Sequence, residues 1–177
     1  MKATEALKEE HKAIQRMLEI LDAMCKKLKK KERVPNVHLE KAIEFIKIFA
    51  DRCHHGKEED LLFPAMEKAG ISKNGGPIGV MLQEHDLGRE YVQGMQNALS
   101  NGQWDLFIES AQGYIELLEA HIEKEDYILY MMADMALSEE TQKELLTQFE
   151  KIEQERIGVG KHEALHQTLH ELEKIYL

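Results

Sequence analysis

His54-His55-Gly56-Lys57-Glu58-Glu59-Asp60-Leu61-Leu62-Phe63 is matched further along the chain by His121-Ile122-Glu123-Lys124-Glu125-Asp126-Tyr127-Ile128-Leu129-Tyr130. Each copy carries His-x-x-x-Glu, a spacing that puts both side chains on one face of a helix, one turn apart. A shorter repeat accompanies it, Glu10-His11 and Glu84-His85. His11, His54, His85, His121, Glu58 and Glu125 are thus related by an internal duplication. Imidazoles and carboxylates recurring in that way are the mark of a metal site, and they require the segments around them to be helices.

Breakers on either side of the repeats set the helix lengths. Arg33-Val34-Pro35-Asn36, Ala69-Gly70 to Gly75-Gly76-Pro77, Ser100-Asn101-Gly102 and Ala136-Leu137-Ser138 cut the chain into long segments. The reading is four helices, at 3–31, 37–68, 78–100 and 103–135, joined by connections short enough to make neighbours antiparallel. Residues 1–136 form an up-down-up-down four-helix bundle. Residues 137–177 form a C-terminal helical extension packed on it, with helices at 139–156 and 161–175 broken at Gly158-Val159-Gly160.

The apolar stripes show where the motif residues point. The first helix reads Leu7, His11, Ile14, Leu18, Leu21, Cys25, Leu28 and the third Ile78, Met81, His85, Gly88, Val92, Met95, Leu99. The second reads Ile43, Ile46, Ala50, His54, Glu58, Leu61, Ala65, and the fourth Tyr114, Leu117, His121, Glu125, Ile128, Met132, Met135. In all four the polar motif residues occupy the core-facing seam. His11 and His54 stand almost equally far from the first turn, and His85 and His121 equally far from the third. The six side chains are therefore expected to converge on one slab of the interior. Met81, Val92, Leu117 and Ile128 are expected to form a dry shell around it.

Burying carboxylates and imidazoles without partners costs several kcal/mol per charge, and leucine at these positions would be more stable. Paired cations offset that cost directly. Imidazole and carboxylate without thiolate suit iron, manganese or zinc. Cys53 points away from His54, and with Cys25 it suggests no disulfide framework.

Composition narrows the rest. Charged residues make up 32% and aromatics only 6%, which suits an all-α protein. A net charge of −10 argues against nucleic acid or anionic membrane as a partner. Neither a transmembrane run nor a signal peptide is visible, so the expected compartment is cytoplasmic.

The pattern His11, His54-x-x-x-Glu58, His85, His121-x-x-x-Glu125, with the strings from His54 to Pro64 and Gln83-Glu84-His85, resembles the hemerythrin-like, or HHE cation-binding, family over about residues 5 to 135. The resemblance implies a hemerythrin-like all-α bundle with a non-haem diiron centre of two iron ions (manganese or zinc less favoured) that meets dioxygen or related small oxidants. It implies His11 and His54 on one iron, His85 and His121 on the other, and Glu58 and Glu125 bridging. One departure matters: oxygen-carrying hemerythrins have His-x-x-x-His on the third helix, where this chain has Met81, His85 and Arg89. Loss of that histidine argues against oxygen carriage. It favours peroxide or nitric oxide as the ligand, for sensing or detoxification, whether as a diiron oxidoreductase or as an iron- and oxygen-responsive interaction module without turnover.

A seventh ligand remains open among His55, His162 and water, with His55 equally readable as a surface residue. Tyr114 reads as a core residue with a reachable hydroxyl, and Gly88 as a channel wall or a helix contact. Glu10, Glu59 and Glu84 are candidates to orient the imidazoles. Leu165, Leu169, Leu172 and Tyr176 are expected to dock on the bundle or on a second copy, as in a homodimer, beside a polar edge of His162, His166 and His170.

Overall fold

The computed structural model describes residues 1–177. Helix α1 (Ala3–Lys29) opens with the Glu5 carboxylate accepting the Lys2 backbone N–H at 2.7 Å. It closes with Lys26, Lys27 and Lys29 in its last turn, where cations suit the dipole. The second rod starts after Pro35 as α2 (Asn36–Phe45). It runs unbroken through π-helical segments at Ile46–His55 and Glu58–Leu62 into α3 (Phe63–Lys68). Helix α4 (Pro77–Ser100) takes proline at its first position, where no backbone N–H is needed. The fourth rod is α5 (Trp104–Lys124), a π-helical segment at Glu125–Leu129, and α6 (Tyr130–Ala136). Each rod packs on the next and the fourth packs on the first, closing the all-α bundle.

The tightest pairing is α4 against α5, where a Cβ added at Gly94 would lie 2.5 Å from Ser110 Oγ. That closeness sets how near His85 and His121 come to one another. The buried apolar residues form two clusters with the polar slab between them. One contains Leu21, Phe45, Phe49, Met95 and Phe107, and the other Leu7, Leu62, Phe63, Met81 and Leu129.

The π-helical segments change which residues face inward. An i→i+5 bonding pattern inserts a residue relative to the α-helix. After Glu58 the buried residues are Leu62, Phe63 and Met66, whereas Leu61 and Ala65 are only partly buried. After Glu125 they are Leu129, Tyr130 and Ala133. Ile128 is 53% and Met135 87% exposed, so the expected shell loses Ile128.

The last forty residues lie along the bundle. Ser138 Oγ caps α7 (Glu139–Ile152) by accepting the Thr141 N–H at 3.1 Å. Helix α7 packs Leu145 and Phe149 into the Leu7–Met81 cluster, and Gln142 Oε1 accepts the Ala3 N–H at 2.9 Å. A π-helical segment (Glu153–Ile157) follows. Gly158 and Gly160, at φ 109° and 79°, then reverse the chain into α8 (Lys161–Tyr176). Leu165, Leu169 and Leu172 of α8 join the larger core cluster, and Tyr176 Oη lies 2.7 Å from His38 Nδ1. The expected apolar stripe therefore docks on the bundle of its own chain. No helix is long and apolar enough to cross a membrane.

Candidate metal centre

All six predicted site residues reach the same level of the interior, and each is at most 1% exposed. The His11 and His54 rings are 4.6 Å apart between centroids, and those of His85 and His121 4.9 Å. The donor atoms fall into two groups that share Glu58. One is His11, His54, Glu58 and Glu125; the other is His55, Glu58, His85 and His121. Glu125 also reaches the second group, with Oε1 3.0 Å from His121 Nε2 and 3.8 Å from His85 Nε2.

His55 is not a surface residue. The π-helical run ending at His55 turns it inward beside His54, leaves it 4% exposed, and stacks it on His85 with centroids 3.8 Å apart. His162 stays outside both groups, 4.0 Å from Glu153 Oε1.

Behind the imidazoles stands a ring of carboxylates whose order follows the duplication. The residue after each glutamate backs a histidine of another rod: Glu59 lies 2.8 Å from His85 Nδ1, and Asp126 2.7 Å from His11 Nδ1. The residue before each of His11 and His85 also faces a histidine of another rod, at unequal distances. Glu84 is 3.0 Å from His121 Nδ1, whereas Glu10 stands 3.8 Å from His54 Nδ1, beyond hydrogen-bond reach. His55 Nδ1 has Asp51 at 3.2 Å. A carboxylate on Nδ1–H fixes the tautomer and leaves the Nε2 lone pair free to ligate. Asp126 escaped the sequence reading, although its place in the repeat, opposite Glu59, marks it.

Inside the cage His11 Nε2 lies 3.0 Å from Glu125 Oε2, but most of the other donor atoms lack partners. His54 Nε2, His85 Nε2, His121 Nε2, Glu58 Oε2 and Glu125 Oε1 are all buried without a hydrogen bond. Orphaned buried groups are rare, because each costs about 1–3 kcal/mol. Here they aim at two common points, and they comprise imidazole nitrogens and carboxylate oxygens. That donor set fits a pair of first-row metal cations.

The charges within the cage work the same way. Burial opposes protonation of His11, but hydrogen bonds to Asp126 and Glu125 outweigh it and raise its pKa to about 10. Burial likewise opposes protonation of His121, yet Glu125 and Glu84 raise it to about 9. Burial and the neighbouring His85 hold His55 well below the ordinary value of 6.5. A raised imidazole pKa contributes stability that is complete below pH 6.5 and lost as pH climbs through about 9 to 10. Cations must displace those protons from Nε2. Anaerobic ferrous titration in weak buffer with a pH indicator should therefore show proton release on uptake at pH 7, and much less at pH 10.

Lys57 ties the cage to the extension. Its ammonium is buried, donating to Glu10 Oε1 and Oε2 at 2.8 and 3.2 Å and to Glu153 Oε1 at 2.6 Å. Burial works against charge on Glu10, but His54 and Lys57 outweigh it and hold the carboxyl at about 2. Removing one partner of such a pair strands the other. Lys57→Ala should therefore destabilise the protein by about 3 kcal/mol in denaturant unfolding, whereas Lys12→Ala, at an exposed pair with Glu9, should change little.

A cavity of about 770 Å³ between the second rod and α4 is lined in part by Asp51, His55, His85, Gly88, Arg89 and Tyr114. Gly88 thus stands on a passage wall, where an added Cβ would come 3.6 Å from Tyr114 Cε2. Tyr114 belongs to this passage. The tyrosine at the cage is Tyr130, whose hydroxyl donates to Glu58 Oε1 and lies 3.5 Å from Glu125 Oε2. An α-helical stripe misses it; the π-helical turn between Glu125 and Tyr130 brings it inward.

The family model described as the hemerythrin HHE cation binding domain matches residues 2–133. Uncharacterized proteins of Mycobacterium bovis and Mycobacterium tuberculosis are 24% identical over 178 residues, covering 97% of this chain and 69% of theirs. No solved structure gives a significant match.

Proposed function

The chain belongs to the hemerythrin HHE cation-binding family, and on that footing we propose that it is a non-haem diiron protein that binds dioxygen, peroxide or nitric oxide for sensing or detoxification. His11 and His54 would hold one ion, His55, His85 and His121 the other, and Glu58 and Glu125 would lie between them. The observation that carries the reading is the set of buried, partnerless Nε2 and carboxylate oxygen atoms from three rods, with His11 of the first rod completing one donor group. Bound iron would supply the electrons and the open coordination position at which such an oxidant is taken up.

The chain's own residues supply the surroundings. Asp126, Glu59 and Glu84 hold the imidazole rings in register through Nδ1. Leu7, Leu62, Phe63, Met81 and Leu129 exclude water on one side, and Ile14, Leu18 and Leu118 on the other. The cavity beside His55 and Gly88 is the way in for a small oxidant. Elemental analysis with optical spectra before and after air exposure tests the reading. Two irons per chain and an oxo-bridged absorption envelope are expected. Zinc alone would end the oxidant reading, and absence of stoichiometric metal would end the cage reading itself.

A second reading, an iron- and oxygen-responsive interaction module, draws on the buried Lys57. Its salt bridges run from Glu10, beside His54, to Glu153 of the extension. On this reading occupancy changes how residues 137–177 dock. Protease cleavage after Arg156 would then differ between metal-loaded and metal-free protein; identical cleavage would remove the idea.

A further inference from the structure

The duplication keeps most of the cage and changes three residues together. The alignment that pairs His54 with His121 also pairs His55 with Ile122 and Asp51 with Leu118, and the one that pairs His85 with His11 pairs Arg89 with Gln15. Ile122 and Leu118 are buried in the apolar core, and Gln15 is exposed. His55, Asp51 and Arg89 form one polar chain instead. Asp51 Oδ1 lies 3.2 Å from His55 Nδ1, and Arg89 Nε donates to Asp51 Oδ1 and Oδ2 at 3.0 and 3.1 Å. The same guanidinium donates through Nη2 to Glu59 Oε2 at 2.6 Å, the oxygen that stands 2.8 Å from His85 Nδ1. Its Nη1 donates to Asp86 Oδ1 at 2.9 Å, which holds the group against α4. One planar cation thus fixes the carboxylates behind both His55 and His85, whose rings stack 3.8 Å apart. The other cations behind the cage serve one of these carboxylates each, Lys124 holding Glu84 and Lys57 holding Glu10.

We propose that Arg89 is the positioning residue of the three-imidazole half, holding His55 and His85 in place through Asp51 and Glu59. Its Nη2 lies 2.9 Å from Asp51 Oδ1 and 2.6 Å from Glu59 Oε2, so it separates two carboxylates that would otherwise repel. With the guanidinium gone, Asp51 and Glu59 turn apart toward water and their imidazoles lose orientation. A lysine would bring the charge without the planar fork that spans both carboxylates. The second repeat has no use for such a cation, because Leu118 and Ile122 put apolar side chains where Asp51 and His55 stand. The proposal rests on the diiron reading above and deepens it by naming what holds its third imidazole.

Anaerobic ferrous titration of the full chain, read by competition with a chromogenic chelator, tests it. Expected in the wild type are two tightly bound ions per chain. The Arg89→Ala curve should split, with circular dichroism and one ion as in the wild type and the other weakened by about 10- to 100-fold, as for a lost ligand-orienting group. Arg89→Lys should be weakened about as much. It keeps a cation and most of the side chain, so it carries the test alone if Arg89→Ala unfolds. Added ethylguanidinium should restore the weakened ion of Arg89→Ala, and ethylammonium should not. An Arg89→Ala curve that matches the wild type overturns the proposal. Full recovery in Arg89→Lys, or equal rescue by ethylammonium, also overturns it, because charge alone would then suffice. So does equal weakening of both ions, which would make Arg89 a general brace. A wild type that takes up no iron overturns the cage reading and this proposal with it, and the wild-type curve alone separates that failure from the others.

Discussion

A Glu58→Ala variant is expected to lose both metal ions together. Glu58 is fully buried and is the one residue common to both donor groups. Its Oε1 lies 3.6 Å from His54 Nε2 and its Oε2 3.2 Å from His85 Nε2, so its two oxygens face opposite halves of the cage. On the diiron reading, two divalent cations would already exceed the negative charge of Glu58 and Glu125. Removing either carboxylate leaves buried positive charge uncompensated, a cost of several kcal/mol. Metal analysis after dialysis should fall from two ions per chain to background. Stability should follow, because saturating ligand at about a thousand times its dissociation constant stabilises a folded protein by about 4 kcal/mol. A chelator should therefore lower the melting temperature of the wild type and leave that of the variant unmoved. A variant that keeps one tightly held ion would show that Glu58 serves a single site.

Much of this cage was legible because the duplication repeats both spacing and level. The α-helical period put His11, His54, His85 and His121 on core seams, and equal distances from the turns put them at one height. The same period misled beyond each glutamate. Three consecutive apolar residues follow closely in both copies, Leu61-Leu62-Phe63 and Ile128-Leu129-Tyr130, so hydrophobicity alone accepts more than one register. The π-helical turns choose the later one. Ile128 goes to solvent, Tyr130 comes into the cage, and Asp126 swings behind His11. His55 was ambiguous for the same reason: one residue after His54 is about 100° away on an α-helix, and only the π-helical segment lets both imidazoles face inward. In the extension the Leu165, Leu169 and Leu172 stripe was readable, since burial there follows ordinary α-helical periodicity. The role of Lys57 was not. A lysine between two motif residues reads as a solvated charge until Glu10 and Glu153, distant in sequence, are seen to enclose it.

His55→Ile should split the two ions. Isoleucine is what the second repeat already carries at this place, and Ile122 is buried at 1% exposure without disturbing its rod. The substitution should therefore fold while removing one donor from the half that contains His85 and His121. Removing a group that merely orients a ligand costs about 10–100-fold in metal affinity, and loss of a direct donor should exceed that. Ferrous titration should resolve into two steps, one with wild-type affinity for the His11–His54 half and one weakened by more than about 100-fold. Asp51 would lose its contact with the imidazole but keep Arg89, whose Nε donates to it at 3.0 Å, so the passage wall would stay closed. Tyr114→Phe, a change in the same cavity away from both donor groups, should leave both steps as they were. If His55→Ile also leaves them unchanged, His55 is part of the passage, and the second ion depends on His85, His121 and the two carboxylates alone.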